Sequence, residues 1–148
     1  MNSVFADTSG LLAVLNAKDE NHARAKRAFA NLRAGGAPLV STSFVLVETY
    51  ALIGRRFGLD AVRTFRADFA PLIEVVWVDE TLHNAGLDLW LERRKRLLSL
   101  VDAVSFVTMR QKHMLEAFAF DPHFEQEKTK AFLQDLNPVG VYVVDATE

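Results

Sequence analysis

Near its start the sequence reads Val4-Phe5-Ala6-Asp7, a short apolar run of β character that ends in an acid. Further short apolar runs alternate with helical patterns along the chain, which is typical of a mostly parallel sheet in an α/β domain. These runs lie at 39–41, 73–78, 117–120 and 141–144, and helices are predicted at about 9–17, 20–33, 43–56, 59–69, 80–96 and 100–112. The sequence therefore predicts an α/β fold with a sheet of about five strands.

The predicted helices carry recognisable start and stop signals. Gly35-Gly36 ends the second helix, and Gly58 separates the third from the fourth. Asp79 is placed to cap the fifth helix, and Ser99 is placed to cap the sixth. No linker or internal repeat divides the chain, so we expect a single domain over residues 1–148.

Composition narrows the class of protein. The chain has 148 residues, and 50% of them are hydrophobic, which is enough for one compact core. The absence of cysteine excludes disulfides, thiolate nucleophiles and Cys-ligated zinc. No apolar run is long enough to span a membrane and no signal peptide is recognisable, so we expect a soluble, cytoplasmic protein. A net charge of −2 neither supports nor excludes binding to RNA.

Four carboxylates lie in apolar surroundings, where an acid is costly to bury: Asp7, Glu48, Asp102 and Asp121. Asp7 and Asp121 follow predicted strands, at the edge where open α/β sheets bind ligands. Glu48 lies on a helix whose neighbouring positions are apolar, so its side chain is predicted to point inward. Asp102 lies in the first turn of the sixth helix, where a negative charge is tolerated. Together the four acids predict a cation site.

Each acid also has a structural explanation. Asp7 before Thr8-Ser9 can cap the first helix, Ser99 with Asp102 matches a capping box, and Asp121-Pro122 can open a turn. Glu48 is the hardest to explain in this way, because it lies too far inside its helix to act as a cap. A structural role for Glu48 alone would require a buried partner.

Carboxylate oxygens are hard ligands, so the predicted cation is Mg²⁺ or Mn²⁺ rather than zinc or copper. Such ions promote in-line displacement at phosphorus, which predicts metal-assisted phosphodiester hydrolysis. The glycines match neither a Walker motif nor a dinucleotide-binding fingerprint, and no Gly-x-Ser-x-Gly elbow is present. A phosphatase or phospho-receiver domain is a weaker alternative, because Asp7 is the single acid at the end of the first strand.

Four segments, in this order, resemble the successive motifs of PIN-domain nucleases, and most closely those of VapC toxins. They are Phe5-Ala6-Asp7-Thr8-Ser9, Val47-Glu48-Thr49, Leu98–Phe106 around Asp102, and Ala119-Phe120-Asp121-Pro122-His123-Phe124. The resemblance implies a PIN-like three-layer α/β/α fold, Mg²⁺- or Mn²⁺-dependent endoribonuclease activity, an antitoxin partner and a homodimer. It also implies that Asp7 and Asp102 bind metal directly, and that Glu48 and Asp121 complete the site, often through water.

One position departs from the family pattern. A Thr or Ser commonly precedes the third acid, whereas this chain has Val101. The loss of a hydroxyl there is expected to weaken either a hydrogen bond behind the metal site or a substrate contact. Two alternatives to a toxin nuclease stay open: a housekeeping RNA-processing PIN nuclease, and a catalytically weak PIN-like module that acts by binding, which Val101 supports.

Two basic runs are candidate RNA contacts. Arg93-Arg94-Lys95-Arg96 leads toward Asp102, and Arg55-Arg56 follows Glu48 by two helical turns. An ordinary solvated helix end explains both runs equally well. His123 is close to Asp121 in sequence, but a surface or turn histidine is the favoured interpretation.

Overall fold

The computed structural model describes residues 3–121 and 123, and the backbone of residues 142–143. Its elements are β1 (Val4–Ala6), α1 (Thr8–Leu15), α2 (His22–Ala34), β2 (Leu39–Thr42), α3 (Ser43–Phe57), α4 (Leu59–Asp68), β3 (Ile73–Val76), α5 (Glu80–Arg93), α6 (Leu100–Gln111), β4 (Glu116–Phe118) and β5 (Tyr142–Val143). The predicted alternation of strands and helices is confirmed. No described helix is long and apolar enough to cross a bilayer.

The five strands form one sheet in the order β3-β2-β1-β4-β5. Every neighbouring pair is parallel, so all carboxyl ends lie at the same edge of the sheet. The central strand β1 ends immediately before Asp7, and this places Asp7 in the middle of that edge. The position matches the crevice in which open α/β sheets bind their ligands.

Two hydrophobic clusters cover the two faces of the sheet, which confirms the three-layer α/β/α architecture. Val4 and Ala6 of β1 pack into the cluster formed with α1, α2, α3 and α4. Phe5 points the other way, into the cluster that includes residues of α5 and α6. The same alternation holds in β4, where Phe118 joins the first cluster and Ala117 the second. Successive side chains of a strand face opposite sides, so a sheet covered on both faces needs continuous apolar strands.

The caps predicted from sequence are present. Asp79 accepts a hydrogen bond from the Leu82 backbone at 2.8 Å and starts α5. Ser99 and Asp102 form a complete capping box at the start of α6. Gly58 lies between α3 and α4 with φ of 89°, a backbone conformation that residues with a Cβ atom rarely adopt.

Several boundaries differ from the predicted ones, mostly by one or two residues. The third strand ends at Val76 rather than 78, because Trp77 is exposed and the Val78 backbone donates to the Ser43 hydroxyl. Helix α5 ends at Arg93 rather than 96, because Arg94 adopts a left-handed conformation with φ of 53°. Strand β4 spans Glu116–Phe118, so Ala119 and Phe120 lie outside it. The predicted outer residues of the last strand, Val141 and Val144, lie outside the described residues.

Gly10 allows α1 to approach β4 closely. A Cβ atom at this position would lie 2.3 Å from the Phe118 carbonyl oxygen, which is part of the backbone and cannot move aside. The same carbonyl accepts a hydrogen bond from the Asp7 backbone at 3.1 Å. The contact therefore fixes α1 and the Asp7 segment against the central sheet.

We expect Gly10→Ala to lower the free energy of unfolding by about 2 kcal/mol or more, because the added methyl group overpacks a backbone contact. Gly54→Ala is the matched control, since the nearest atom to a Cβ there is a Val62 methyl carbon at 3.6 Å. Alanine favours helix formation by up to about 1 kcal/mol over glycine, so the control should keep or gain stability. Urea unfolding followed by circular dichroism measures both variants, and equal midpoints would contradict the packing argument.

Candidate metal and active site

Asp7 is both a helix cap and a buried acid. Its side chain is the N-cap of α1, and Oδ2 accepts hydrogen bonds from the Ser9 backbone at 3.1 Å and the Ser9 hydroxyl at 2.6 Å. The residue is only 3% exposed. The predicted capping role is therefore present, but a cap of an ordinary helix needs no such burial. The capping bonds hold the carboxylate in one orientation at the centre of the carboxyl edge of the sheet. This edge, with its acids Asp7, Asp102 and Asp121, is called the rim below.

Ser9 connects the segment that follows β1 to the segment that follows β4. Its hydroxyl donates to Asp7 and accepts a hydrogen bond from the Phe120 backbone at 3.0 Å. Phe120 directly precedes Asp121, so Ser9 fixes the segment after β4 beside the segment after β1. Sequence reasoning placed Ser9 in a family motif but assigned it no role.

Asp102 lies in the first turn of α6 and is 8% exposed. Its Oδ2 atom accepts from the Ser99 backbone at 3.2 Å, and its own backbone donates to the Ser99 hydroxyl at 3.1 Å. Val101, the departure from the family pattern, packs against the second hydrophobic cluster. Ser99 supplies a hydroxyl that fixes this turn.

Asp121 and His123 form the third part of the site. Asp121 Oδ1 accepts a hydrogen bond from the His123 backbone at 2.9 Å. The His123 ring atom Nδ1 lies 2.9 Å from the same oxygen and 4.0 Å from Asp102 Oδ2. Despite the short distance, this Nδ1 is buried and has no hydrogen-bond partner among the described residues. Of the favoured interpretation as a surface or turn histidine, the backbone hydrogen bond to Asp121 agrees with a turn, whereas the side chain is 16% exposed and lies between two acids rather than at the surface.

Asp102, Asp121 and His123 each offer one ligand atom, and these atoms lie within 4.8 Å of one another. Among the described residues, no lysine or arginine forms an ion pair with Asp102, Asp121 or Asp7. Acids that are buried without a basic partner need a cation or a proton. Two carboxylates and an imidazole nitrogen fit a divalent metal ion.

The electrostatics of the rim agree with this donor set. The pKa of Asp7 is raised from 3.8 to about 7, with burial as the largest cause; the Ser9 hydrogen bonds lower it, and the charges of Asp102 and Asp121 also raise it. Burial also raises the pKa of Asp102, with the Asp121 charge acting in the same direction. Hydrogen bonds from Ser99 and the nearby His123 oppose that rise. Without a cation, the buried acids therefore tend to hold protons.

Glu48 departs from its predicted environment. It is half-buried rather than in the core, and it lies outside the group formed by Asp102, Asp121 and His123. The next residue, Thr49, is the one that turns inward, and its hydroxyl lies 3.0 Å from the Thr8 hydroxyl. Because Thr8 follows Asp7, this hydrogen bond holds the Glu48 turn of α3 beside the Asp7 segment.

Comparison with known proteins agrees with this arrangement. The family model for the PIN domain matches residues 4–128. The chain belongs to the PIN-domain family. It is 40% identical over 124 residues to proteins named 23S rRNA-specific endonuclease VapC20 from two strains of Mycobacterium tuberculosis, CDC 1551 / Oshkosh and H37Rv. The alignment covers 82% of this chain and 91% of each relative.

Solved structures support the same assignment of this PIN domain. The crystal structure of M. tuberculosis VapC20, described as a sarcin-ricin loop cleaving toxin, matches with a TM-score of 0.72 at 36% identity, over 84% of this chain and 95% of that one. A toxin-antitoxin complex from Klebsiella pneumoniae matches with a TM-score of 0.62 over 95% of this chain and 97% of that one. Its identity is 17%, so this second match concerns the fold alone.

Proposed function

We propose that this PIN domain is a divalent-metal-dependent endoribonuclease and the toxin of a toxin-antitoxin pair. The observation that carries the proposal is that Asp102, Asp121 and His123 offer ligand atoms within 4.8 Å of one another, with the charge of Asp7 close enough to interact with both acids. The 40% identity to endonucleases of the VapC20 type supports the same reaction class.

In this proposal Asp7, Asp102, Asp121 and the ring nitrogen of His123 surround a Mg²⁺ or Mn²⁺ ion, and Glu48 reaches it through water. When bound, such an ion stabilises the negative charge that develops on a phosphoryl oxygen and activates water as a nucleophile. The protein contributes fixed ligand positions, because Ser9 orients Asp7 and Ser99 orients Asp102. Fixed ligands avoid the cost of reorganising charged groups during the reaction.

The relatives support a specific substrate class. Because they are named as 23S rRNA-specific endonucleases and match 82% of this chain, we propose that the substrate is a loop of the large ribosomal RNA. Exposed, unstacked bases in RNA loops are the usual targets of sequence-specific recognition. We further propose that the protein acts in the cytoplasm, where ribosomes lie, and that it is a homodimer inhibited by a cognate antitoxin protein.

The alternative of a weakly catalytic binding module rested on Val101. Val101 is partly buried and packs against the second hydrophobic cluster, while Ser99 makes the hydrogen bonds that orient Asp102. A missing hydroxyl at Val101 therefore leaves Asp102 positioned, which favours the nuclease over the binding module. The housekeeping nuclease differs from the toxin in its effect on cells, and an experiment in cells separates the two.

The test is induced expression of the wild type and of Asp102→Asn in a bacterial host, followed by mapping of new RNA 5′ ends. We expect growth arrest and a new end within 23S rRNA for the wild type, and neither for the variant. Asp68→Asn serves as the matched control, because Asp68 is an exposed acid on α4. Cleavage of a different RNA without growth arrest would favour a housekeeping enzyme, and arrest by Asp102→Asn would contradict the proposal.

We expect His123→Gln to weaken Mn²⁺ binding more than Mg²⁺ binding, since imidazole nitrogen suits Mn²⁺ better than Mg²⁺. The expected loss for Mn²⁺ is about tenfold, comparable to the loss of other groups that shape a metal site. Isothermal titration calorimetry with each metal measures the effect. His83→Gln is the control, because His83 lies on α5 against Phe44. Equal affinities in wild type and His123→Gln would remove His123 from the site.

A further inference from the structure

A pocket lies where α5 passes into α6. It has a volume of about 330 Å³ and is lined by Trp90, Leu91, Arg94, Lys95 and Arg96. The two apolar residues come from the last turns of α5, and the three basic residues follow the end of that helix. The pocket therefore combines an apolar wall with a cluster of positive charge.

The shape of the pocket depends on two local features. The left-handed backbone at Arg94 ends α5 and turns the chain, and the Leu98 backbone donates to the Lys95 carbonyl at 3.2 Å. The Trp90 indole nitrogen donates to the Leu98 carbonyl at 2.6 Å, which holds the ring in place. The aromatic wall is thus fixed before any ligand binds.

The pocket is close to the acidic rim. Arg96 is three residues before Ser99, so their Cα atoms are at most about 11 Å apart even in a fully extended chain. The Ser99 backbone contacts Asp102 Oδ2 directly at 3.2 Å. A strand whose phosphate lies at the acids therefore has neighbouring nucleotides within reach of the pocket.

Arg94 and Arg96 are exposed, and within the described part of the chain neither forms an ion pair or a side-chain hydrogen bond. Their positive charge lies beside the rim of Asp7, Asp102 and Asp121. The negative charge of that rim would repel a polyanion. A guanidinium pair next to that rim compensates the repulsion for a phosphate backbone. A flat apolar wall beside guanidinium groups also matches a nucleotide, whose base packs on aromatic surface while its phosphate pairs with arginine.

We propose that this pocket, formed at the end of α5, binds a nucleotide of the RNA strand next to the scissile phosphodiester. The inference rests on the proposed endoribonuclease function and adds a substrate-binding position to it. The base packs against Trp90 and Leu91, and Arg94 and Arg96 pair with the flanking phosphates. An acidic segment of a protein partner fits the pocket less well, because it lacks the flat base that the fixed indole ring favours.

The test measures binding of a fluorescein-labelled RNA hairpin with a single-stranded loop to Asp102→Asn, by anisotropy over a range of salt concentrations. Adding Arg94→Gln and Arg96→Gln should weaken binding about tenfold and make the slope of log affinity against log salt shallower by about 1.4, since each phosphate contact to a single strand contributes about 0.7. Gln removes the charge but keeps an unbranched, polar side chain, and thermal unfolding confirms that the variants fold.

Arg55→Gln with Arg56→Gln is the charge-matched control. Arg55 is about 18 Å along α3 from Ser43, the end of that helix nearest the rim, at 1.5 Å per residue. The control should keep the parent affinity and slope. An equal loss of affinity in both double variants would indicate a general attraction between charges and would overturn the proposed nucleotide site. Unchanged RNA binding in Arg94→Gln/Arg96→Gln would also overturn it, even if binding of an acidic peptide were lost.

Tryptophan fluorescence provides a second, independent measurement. The chain has two tryptophans, and Trp77 is 76% exposed, so Trp77→Phe leaves Trp90 as the single reporter. We expect the RNA hairpin to quench Trp90, and no quenching at saturating RNA would contradict the inference. If the wild type cleaves RNA but the pocket variants behave as the parent, the pocket fails and the nuclease stands. If the wild type neither binds nor cleaves RNA, the proposed function fails as well.

Discussion

Replacing Asp7 by asparagine is expected to lower RNA cleavage by at least about 100-fold, because mutating residues that only support metal ligands already lowers metal affinity or activity by about 10- to 100-fold. The same replacement is expected to stabilise the metal-free protein. Asparagine is as good an N-cap as aspartate, so α1 keeps its first turn. The variant removes a buried charge that burial and two neighbouring acids disfavour. Function and stability therefore move in opposite directions.

The pH dependence of stability gives the sign of this effect. In the folded, metal-free protein the pKa of Asp7 is raised from 3.8 to about 7. Between these values the folded state holds a proton that the unfolded chain has lost, so the free energy of unfolding falls as the pH rises, by at most about 1.4 kcal/mol per pH unit. The contribution is fully present below pH 3.8 and is lost as the pH passes 7.

Chemical unfolding with chelator at several pH values from about 4.5 to about 8, which covers most of the expected window and extends about one unit above it, measures this slope. Asp7→Asn should reduce it, leaving the smaller contribution of Asp102, whose pKa is also raised. Asp68→Asn should keep the wild-type slope, because Asp68 is exposed. A wild-type protein that becomes more stable between pH 5 and pH 7 would contradict the account of Asp7.

With metal bound, the wild type is expected to be more stable than Asp7→Asn, which is the reverse of the order expected without metal. A divalent ion replaces the proton on the buried acids, so its affinity should rise with pH by up to about tenfold per unit below pH 7. At a free Mn²⁺ concentration about 100 times the dissociation constant, the wild type gains about 2.7 kcal/mol of stability. Asp102→Asn should lose most of this gain, because Asp102 belongs to the group of ligand atoms.

Differential scanning fluorimetry with Mn²⁺, Mg²⁺ and chelator, at pH 6 and pH 8, measures the linkage, since metal binding to deprotonated ligands releases protons. The matched control is again Asp68→Asn, which should respond to metal as the wild type does. An affinity independent of pH, or an equal metal response in Asp102→Asn, would show that the ion binds elsewhere.

Local signals in the sequence predicted most of the fold. Apolar strands identified the parallel sheet, and Asp79 and Ser99 identified two helix starts, because capping depends on residues three apart. The predicted end of α5 was wrong, because no local pattern in the sequence indicates that the Arg94 backbone adopts a left-handed conformation. The order of the strands depends on contacts between distant residues, which a single sequence does not contain.

The candidate site was predicted in part. Asp7, Asp102 and Asp121 were identified from acids next to apolar runs, and the structure brings them close enough for their charges to interact. Their roles in binding metal, and the role of Glu48, stay predictions. His123 was undervalued because its position between two acids depends on α6 lying beside the segment after β4. The sequence signals were its spacing of two residues from Asp121 and its position in the fourth segment that resembles the family motifs.

The most direct test of the central claim is cleavage of the RNA hairpin by purified wild type, Asp102→Asn and Asp68→Asn, each with Mg²⁺, Mn²⁺ or chelator. The account predicts cleavage by the wild type and Asp68→Asn with metal, and none with chelator or in Asp102→Asn. Cleavage by the wild type in chelator, or by Asp102→Asn at the wild-type rate, would contradict it.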